Sequence, residues 1–215
     1  MYKLVIFDLD GTLLDTIGDL AAAGNHTLAE MGFPQHPVDS FKLFVGNGIP
    51  KLIERMLPPG HTKPTEQRAY ELFTEYYSQH KSDLTKPYPG MRELVSELRA
   101  KGVACGCNSN KAHEFSVELL RQNYGDDITE IICFGAGFQP KPDPGAALEI
   151  IRRTGVEPRE ALYVGDSNVD ILTGHNAGID VCGVLWGFRS YEELAALQPT
   201  YFAHDAEELK RIILG

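Results

Sequence analysis

The chain is short of positive charge, of cysteine and of long apolar runs. Its 20 lysines and arginines stand against 30 aspartates and glutamates, a net charge of −10. No lysine/arginine cluster reverses that balance locally, so the electrostatic footprint of a nucleic-acid binder is missing. No apolar run approaches the length of a membrane span. The first residues enter a strand-like run at once, without a signal-peptide pattern. Only four cysteines occur, Cys105, Cys107, Cys133 and Cys182, all in apolar stretches. Cys105-Gly106-Cys107 does not have the C-x-x-C spacing of zinc sites. Buried, reduced thiols and a cytoplasmic setting are therefore expected. Internal repeats and low-complexity tracts are lacking as well, and nothing in the sequence sets an oligomeric state.

What is present suffices for a sizeable core: 215 residues, 43% of them hydrophobic. Strand-like runs are expected near Lys3–Phe7, Val103–Cys107, Glu130–Phe134, Leu162–Val164 and Val181–Leu185, with a weaker one at Tyr201–Ala203. Helical patterns lie between them. Met91, Leu94, Val95 and Leu98 recur at helical spacing before Gly102, and Leu148, Ile151 and Thr154 precede Gly155 in the same way. Ser190 with Glu193 reads as a capping box, and Asp205 with Glu208 is a similar signal. Strands alternating with helices imply an α/β fold, a doubly wound parallel sheet of Rossmann-like type.

One stretch breaks the alternation. Between about Asp15 and Lys86 the patterns are helical, with no clear strand. Ile17, Leu20, Leu28 and Met31 suit one helix, Ile49, Leu52, Ile53 and Met56 a second, and Ala69, Leu72, Phe73, Tyr76 and Tyr77 a third. The expected organisation is a catalytic core of residues 1–14 and 87–215 carrying an inserted all-helical cap, residues 15–86. The two connections of such an insert are placed to act as hinges.

The chemistry-bearing residues sit in four polar segments. The first strand ends in Asp8 and Asp10, followed by Gly11 and Thr12. Spacing of two on a strand puts both carboxylates on one side of the backbone, where they can hold a hard cation and one can attack an electrophile. The other segments are Asn108-Ser109-Asn110, Lys141-Pro142-Asp143-Pro144 and Gly165-Asp166-Ser167-Asn168-Val169-Asp170. Ligands bind beyond the carboxyl ends of the strands in an open parallel sheet, so these segments are expected to converge. Together they hold what phosphoryl transfer to a carboxylate requires: acidic ligands for Mg²⁺, a hydroxyl and a lysine for phosphate oxygens, and a second carboxyl near the leaving oxygen. Taken singly, each has a plainer reading. Lys141 is then a solvated loop lysine, Ser109 a helix N-cap, and Asp166 and Asp170 the acidic start of a helix.

In this order, DLDGT at Asp8–Thr12, the serine of the second segment, Lys141 in KPDP and GDSNVD at Gly165–Asp170 resemble the four motifs of the haloacid dehalogenase superfamily. The resemblance spans nearly the whole chain. It implies Asp8 as nucleophile, Asp10 as acid/base, and Ser109 and Lys141 as phosphate holders. It also implies Mg²⁺ on Asp8, the Asp10 backbone carbonyl and Asp166, with Asp170 in support, and Thr12 and Asn110 beside the substrate. The carboxyl at Asp10 fits the phosphatase and phosphomutase branches, and Leu20 stands where the β-phosphoglucomutase branch carries a cap histidine. Phe44-Val45-Gly46-Asn47-Gly48, Tyr88-Pro89-Gly90 and Gly183–Phe188 are similar to segments of phosphoglycolate phosphatases.

The expected activity is Mg²⁺-dependent hydrolysis of a small phosphorylated metabolite. Phosphoglycolate leads by resemblance, and sugar phosphates, nucleoside monophosphates and pyrophosphate stay open. A phosphomutase is the alternative within the superfamily. A phospho-accepting receiver module is the alternative outside it, but it has no use for Asp10 or for a long helical insert. Gly46-Asn47-Gly48, followed by Lys51, forms a glycine-rich turn at a predicted helix start. Its free amides and the lysine are expected to read an anionic distal end of the substrate.

Overall fold

In β1 (Leu4–Phe7), Val5 and Phe7 face one side of the sheet and Leu4 and Ile6 the other, all fully buried. A strand apolar on both faces has to carry helices on both. The computed structural model describes residues 1–215 and meets that requirement. After β1 come β2 (Leu14–Asp15), α1 (Ile17–Glu30), α2 (Val38–Phe44), α3 (Ile49–Met56), α4 (Lys63–His80) and β3 (Lys86–Pro87). Then follow α5 (Met91–Ala100), β4 (Ala104–Ala112), α6 (His113–Tyr124), β5 (Glu130–Phe134), α7 (Gly145–Thr154) and β6 (Ala161–Gly165). The chain closes with α8 (Asn168–Ala177), β7 (Asp180–Val184), α9 (Tyr191–Ala195), β8 (Tyr201–Ala203) and α10 (Ala206–Leu214).

Six strands form one parallel sheet in the order β5-β4-β1-β6-β7-β8. The chain runs outward from β1 through β4 to β5, then returns to the far side of β1 and runs outward again through β6, β7 and β8. β1 is therefore the strand from which the order reverses, and the crevice beyond its carboxyl end is where such sheets take ligands. One face packs Leu94, Val95, Leu98, Leu119, Leu120, Leu209 and Ile213 of α5, α6 and α10. The other packs Ala147, Ile150, Ile151 and Ile171 of α7 and α8. The expected doubly wound parallel sheet is thus present.

The stretch between β2 and β3 holds four helices, one more than the sequence pattern suggested. The additional α2 has a single buried residue, Phe41, and so leaves no apolar periodicity to read. These helices enclose an apolar cluster of their own, built on Leu20, Leu28, Phe41, Ile53, Met56, Phe73 and Tyr77. A Cβ at Gly24 would overlap the Phe41 ring, so the close approach of α1 and α2 requires glycine there. The two connections are not free loops: β2 and β3 pair antiparallel, Leu14 opposite Pro87 and Asp15 opposite Lys86. Asp19 of α1 accepts the backbone N–H groups of Leu84 and Thr85, which ties the start of the helical stretch to its end.

All four cysteines are free and buried. Burial pushes the thiols of Cys105 and Cys182 up to about 12, which keeps them inert. No helix is long and apolar enough to cross a membrane.

Candidate active site

Asp8 stands one residue beyond β1, and its N–H still donates to the Val164 carbonyl of β6 at 2.8 Å. The chain then turns at Gly11, whose φ of 87° suits glycine. A Cβ on Gly11 would also run into the Asp166 carboxylate. Asp166 itself follows the end of β6, and Asp170 lies in the first turn of α8. Lys141 arrives from the segment between β5 and α7. Three sequence-distant segments thus meet beyond the carboxyl ends of β1 and β6, and the fourth, in β4, lines the same cavity.

Lys141 is the hub of this cluster. Its Nζ donates to Asp8 Oδ1 at 2.8 Å and to Asp170 Oδ1 at 2.5 Å. Burial opposes its charge, but Asp170 and then Asp8 outweigh that and hold its pKa well above the ordinary lysine value. Asp170 accepts the backbone N–H and the hydroxyl of Ser167 through its other oxygen. With both oxygens engaged and no exposure, it supports the cluster from behind. Asp166 accepts the Phe188 N–H at 2.7 Å and the Thr12 hydroxyl at 3.3 Å.

Asp8, Asp166 and Asp170 each offer a carboxylate oxygen, all within 4.8 Å of one another. Burial, then the Asp170 charge, raises Asp8 from 3.8 to about 7, with Lys141 pulling the other way. Asp166 is likewise held well above its ordinary value by burial and by Asp170 and Asp8. One lysine does not neutralise three buried carboxylates. An oxygen-rich donor set with that excess of negative charge fits a hard divalent cation.

Beside this cluster, β4 runs further than the sequence pattern suggested, so Ser109, Asn110 and Lys111 lie within the strand rather than beyond it. Ser109 is not a helix cap: α6 begins at His113 with Ala112 at the cap position. Ser109 lines the cavity together with Asp8, Asp10 and Lys141. Asn110 also lines it, but its amide is used structurally. It donates to the Gly46 and Lys141 carbonyls and accepts the Lys141 N–H. Lys111 forms an ion pair with Asp10 at 3.0 Å and lies 4.7 Å from the centre of the Tyr77 ring, which comes from α4. The Asp10 side chain thus points to Lys111 rather than into the acidic cluster.

Two expectations on substrate contacts are corrected. Thr12 is fully buried, its hydroxyl on Asp166 and its carbonyl accepting the Trp186 indole N–H at 3.1 Å. It braces the acidic cluster and does not reach the cavity. In the Gly46-Asn47-Gly48 turn the two glycines line the cavity, but Asn47 accepts a hydrogen bond from Arg55, and Lys51 pairs with Glu54 at 2.6 Å on the exposed side of α3. Helical spacing gives Lys51 to Glu54, and the Arg55 guanidinium holds Asn47, which precedes the helix, on the exposed side. The side chains that do line the cavity from this side are Leu20, Val45, Ile49 and Leu52, with Phe188 and Arg189 from the segment after β7. Arg189 donates to the Lys42 and Val45 carbonyls at the end of α2. Sequence reasoning passed over Lys111, Ser167 and Arg189 as site residues. Lys111 had a usable signal, since it lies two residues after Ser109 in an extending strand. Arg189 had none, because its role depends on where α2 ends in space.

A model of the haloacid dehalogenase-like hydrolases matches residues 5–184. The chain belongs to this family. The phosphoglycolate phosphatase of Pseudomonas fluorescens (strain Pf0-1) is 35% identical over 213 residues, 96% of this chain and 78% of that protein. The phosphoglycolate phosphatase of Vibrio vulnificus (strain CMCP6) is 34% identical over 219 residues, 99% of this chain and 96% of that one. A crystal structure of a candidate phosphoglycolate phosphatase from Lactobacillus delbrueckii subsp. bulgaricus superposes with a TM-score of 0.94. It is 32% identical and covers 100% of this chain and 99% of that one. The haloacid dehalogenase-like fold thus accounts for both the sheet and the helices between β2 and β3.

Proposed function

We propose that this hydrolase is a Mg²⁺-dependent phosphatase that acts on a small phosphomonoester through an aspartyl-phosphate at Asp8, with phosphoglycolate the leading substrate. One observation carries the reading. A carboxylate with one oxygen held by a lysine, a hydroxyl and a second carboxyl all face one cavity at the end of β1. Lys141 fixes Asp8 through Oδ1, and Oδ2 accepts no hydrogen bond, so one oxygen is free to attack phosphorus. Asp8, Asp166 and the Asp10 carbonyl would hold Mg²⁺, with Asp170 behind them. The ion would neutralise the phosphate and orient it against the nucleophile.

The remaining steps belong to side chains. Ser109 and Lys141 hold phosphate oxygens. Asp8 forms a bond to phosphorus as the ester oxygen leaves with a proton from Asp10. Asp10 then takes a proton from water, the water oxygen bonds phosphorus, and the aspartyl–phosphorus bond breaks to free phosphate and Asp8. The helices from α1 to α4 act as a cap, residues 15–86 over a core of residues 1–14 and 87–215, and exclude bulk water. The relatives' activity supports phosphoglycolate. Buried free thiols support a reducing compartment, the cytoplasm. The test is a phosphate-release screen over small phosphomonoesters with and without Mg²⁺. Turnover of phosphoglycolate only with Mg²⁺ is expected; equal release after chelation, or none from any ester, overturns the reading.

A further inference from the structure

Three cationic side chains line the cavity: Lys141, Arg189 and Lys111. The first two have other tasks, and in the phosphatase reading Lys141 already serves the nucleophile and the transferring phosphate. Lys141 spans Asp8 and Asp170, and the Arg189 guanidinium holds the Lys42 and Val45 carbonyls. Lys111 has one ionic partner, Asp10, at 3.0 and 3.3 Å, and otherwise meets the face of Tyr77. Its side chain is only 3% exposed. An ammonium carries three N–H donors, and a single carboxylate does not require all of them.

We propose that Lys111 is the specificity-determining residue, which selects phosphomonoesters whose leaving alcohol carries a second anion, a carboxylate or comparable oxyanion, close to the ester oxygen. This rests on the phosphatase reading, in which Asp10 faces the leaving oxygen. The substituent of the leaving alcohol then lies on the Asp10 side of the cavity, where Lys111 stands. The ammonium bridges Asp10 and the incoming anion. On the facing wall, Leu20, Val45, Ile49 and Leu52 with Gly46 and Gly48 offer no side-chain charge, and the Arg189 guanidinium beside them is turned onto the Lys42 and Val45 carbonyls. A short anionic substituent fits such a place, and in low-dielectric surroundings a single cation discriminates strongly between charged and neutral groups. Lys51, the other nearby lysine of the turn, is turned outward onto Glu54.

The test compares kcat/KM for phosphoglycolate and for ethyl phosphate in the wild type, Lys111→Met, Lys111→Arg and Arg189→Met. The wild type should prefer the carboxylated ester. Lys111→Met should cut that preference about 10–100-fold, mostly through KM, the range for a hydrogen bond to a charged group. Lys111→Arg should restore part of it. The thermal shift given by 3-phosphonopropionate against propylphosphonate should show the same preference without turnover. A residue that merely positions Asp10 would lower kcat on both esters equally, and that outcome overturns the proposal. So does a selective loss in Arg189→Met with none in Lys111→Met. If Lys111→Met does not fold, the wild type still decides, since equal use of the two esters overturns the proposal. If the wild type hydrolyses neither ester but releases phosphate from others in the screen, the Lys111 proposal has failed and the phosphatase reading stands; if it releases phosphate from none, the reading has failed and the proposal with it.

Discussion

Lys141 Nζ lies 2.8 Å from Asp8 Oδ1, and the pair is almost wholly shielded from solvent. The contact holds the Asp8 carboxylate by one oxygen and leaves the other toward the cavity. Asp8→Asn should abolish phosphate release, because an amide is a poor nucleophile and a poor cation ligand. No phosphoenzyme should accumulate by intact mass. Near-wild-type turnover by the purified variant would remove the covalent mechanism.

The same variant should stabilise the metal-free fold. Asp8 is raised from 3.8 to about 7 by burial and by Asp170. The unfolded chain releases its proton near the ordinary carboxylate value and the native protein near 7. Between those limits the native state binds more protons, so this group's contribution to stability falls as pH rises. The loss amounts to on the order of a few kcal/mol at pH 8. Without a divalent ion, Asp8→Asn should therefore melt several degrees above wild type at pH 8, and the gap should close toward pH 4. A cation competes with that proton, so the Mg²⁺ thermal shift of the wild type should grow from pH 5 to pH 8. A shift independent of pH would place the ion elsewhere.

Asp166 tests the cation site from the opposite side. Asp166→Ala should raise the Mg²⁺ requirement steeply or remove activity. Thr12→Val deletes only the hydroxyl that leans on Asp166 at 3.3 Å. It should raise the Mg²⁺ concentration at half-maximal activity by about 10-fold, the low end of what loss of a ligand's supporting hydrogen bond costs, because the contact is long. Mg²⁺ titrations of activity measure both. If Thr12→Val instead raises KM for substrate with the Mg²⁺ dependence unchanged, Thr12 contacts substrate after all.

The acidic cluster was legible because its signals are local. A continuous apolar strand running into Asp8 and Asp10 fixes a direction, and a parallel sheet brings strand ends together. Most of the other strands were legible for the same reason, with β4 the main misjudged boundary. α2 escaped notice because its seven residues bury only Phe41. β2 and β3 have two residues each, too few for any period. The cavity wall was the least legible part. Basic residues beside a glycine turn suggested anion binding, but Lys51 has Glu54 three residues on, a helical neighbour that claims it first. Arg189 reaches the cavity through tertiary contacts that no local pattern encodes.

That outward pairing makes a further prediction. Asn47→Ala and Lys51→Ala should leave kcat/KM for phosphoglycolate within about twofold of wild type and stability within about 0.5 kcal/mol, as expected for exposed side chains. Asn47 supports Arg55 on the exposed surface, so its loss should be felt in melting temperature before it is felt in KM. A selective fall for the carboxylated ester in Lys51→Ala would show that α3 presents this lysine to the substrate.

Asp10→Asn separates chemistry from binding most cleanly. Its carboxylate meets Lys111 and stands apart from the three-carboxylate cluster, so the variant should keep its fold and its Mg²⁺ affinity. Loss of a proton donor typically costs about 10²–10⁴-fold in rate. The cost depends on the leaving group. An alkyl alcohol leaves poorly without a proton and should show the full loss, whereas nitrophenol leaves as a stable anion and should show little in the first step. Its single-turnover burst should survive while steady-state turnover stays slow, because water still needs a base to release the phosphate from Asp8. Rapid-quench kinetics on nitrophenyl phosphate and an alkyl phosphate would display the difference. An equal loss of burst rate on both substrates would assign Asp10 to positioning through Lys111 and leave the proton to another group.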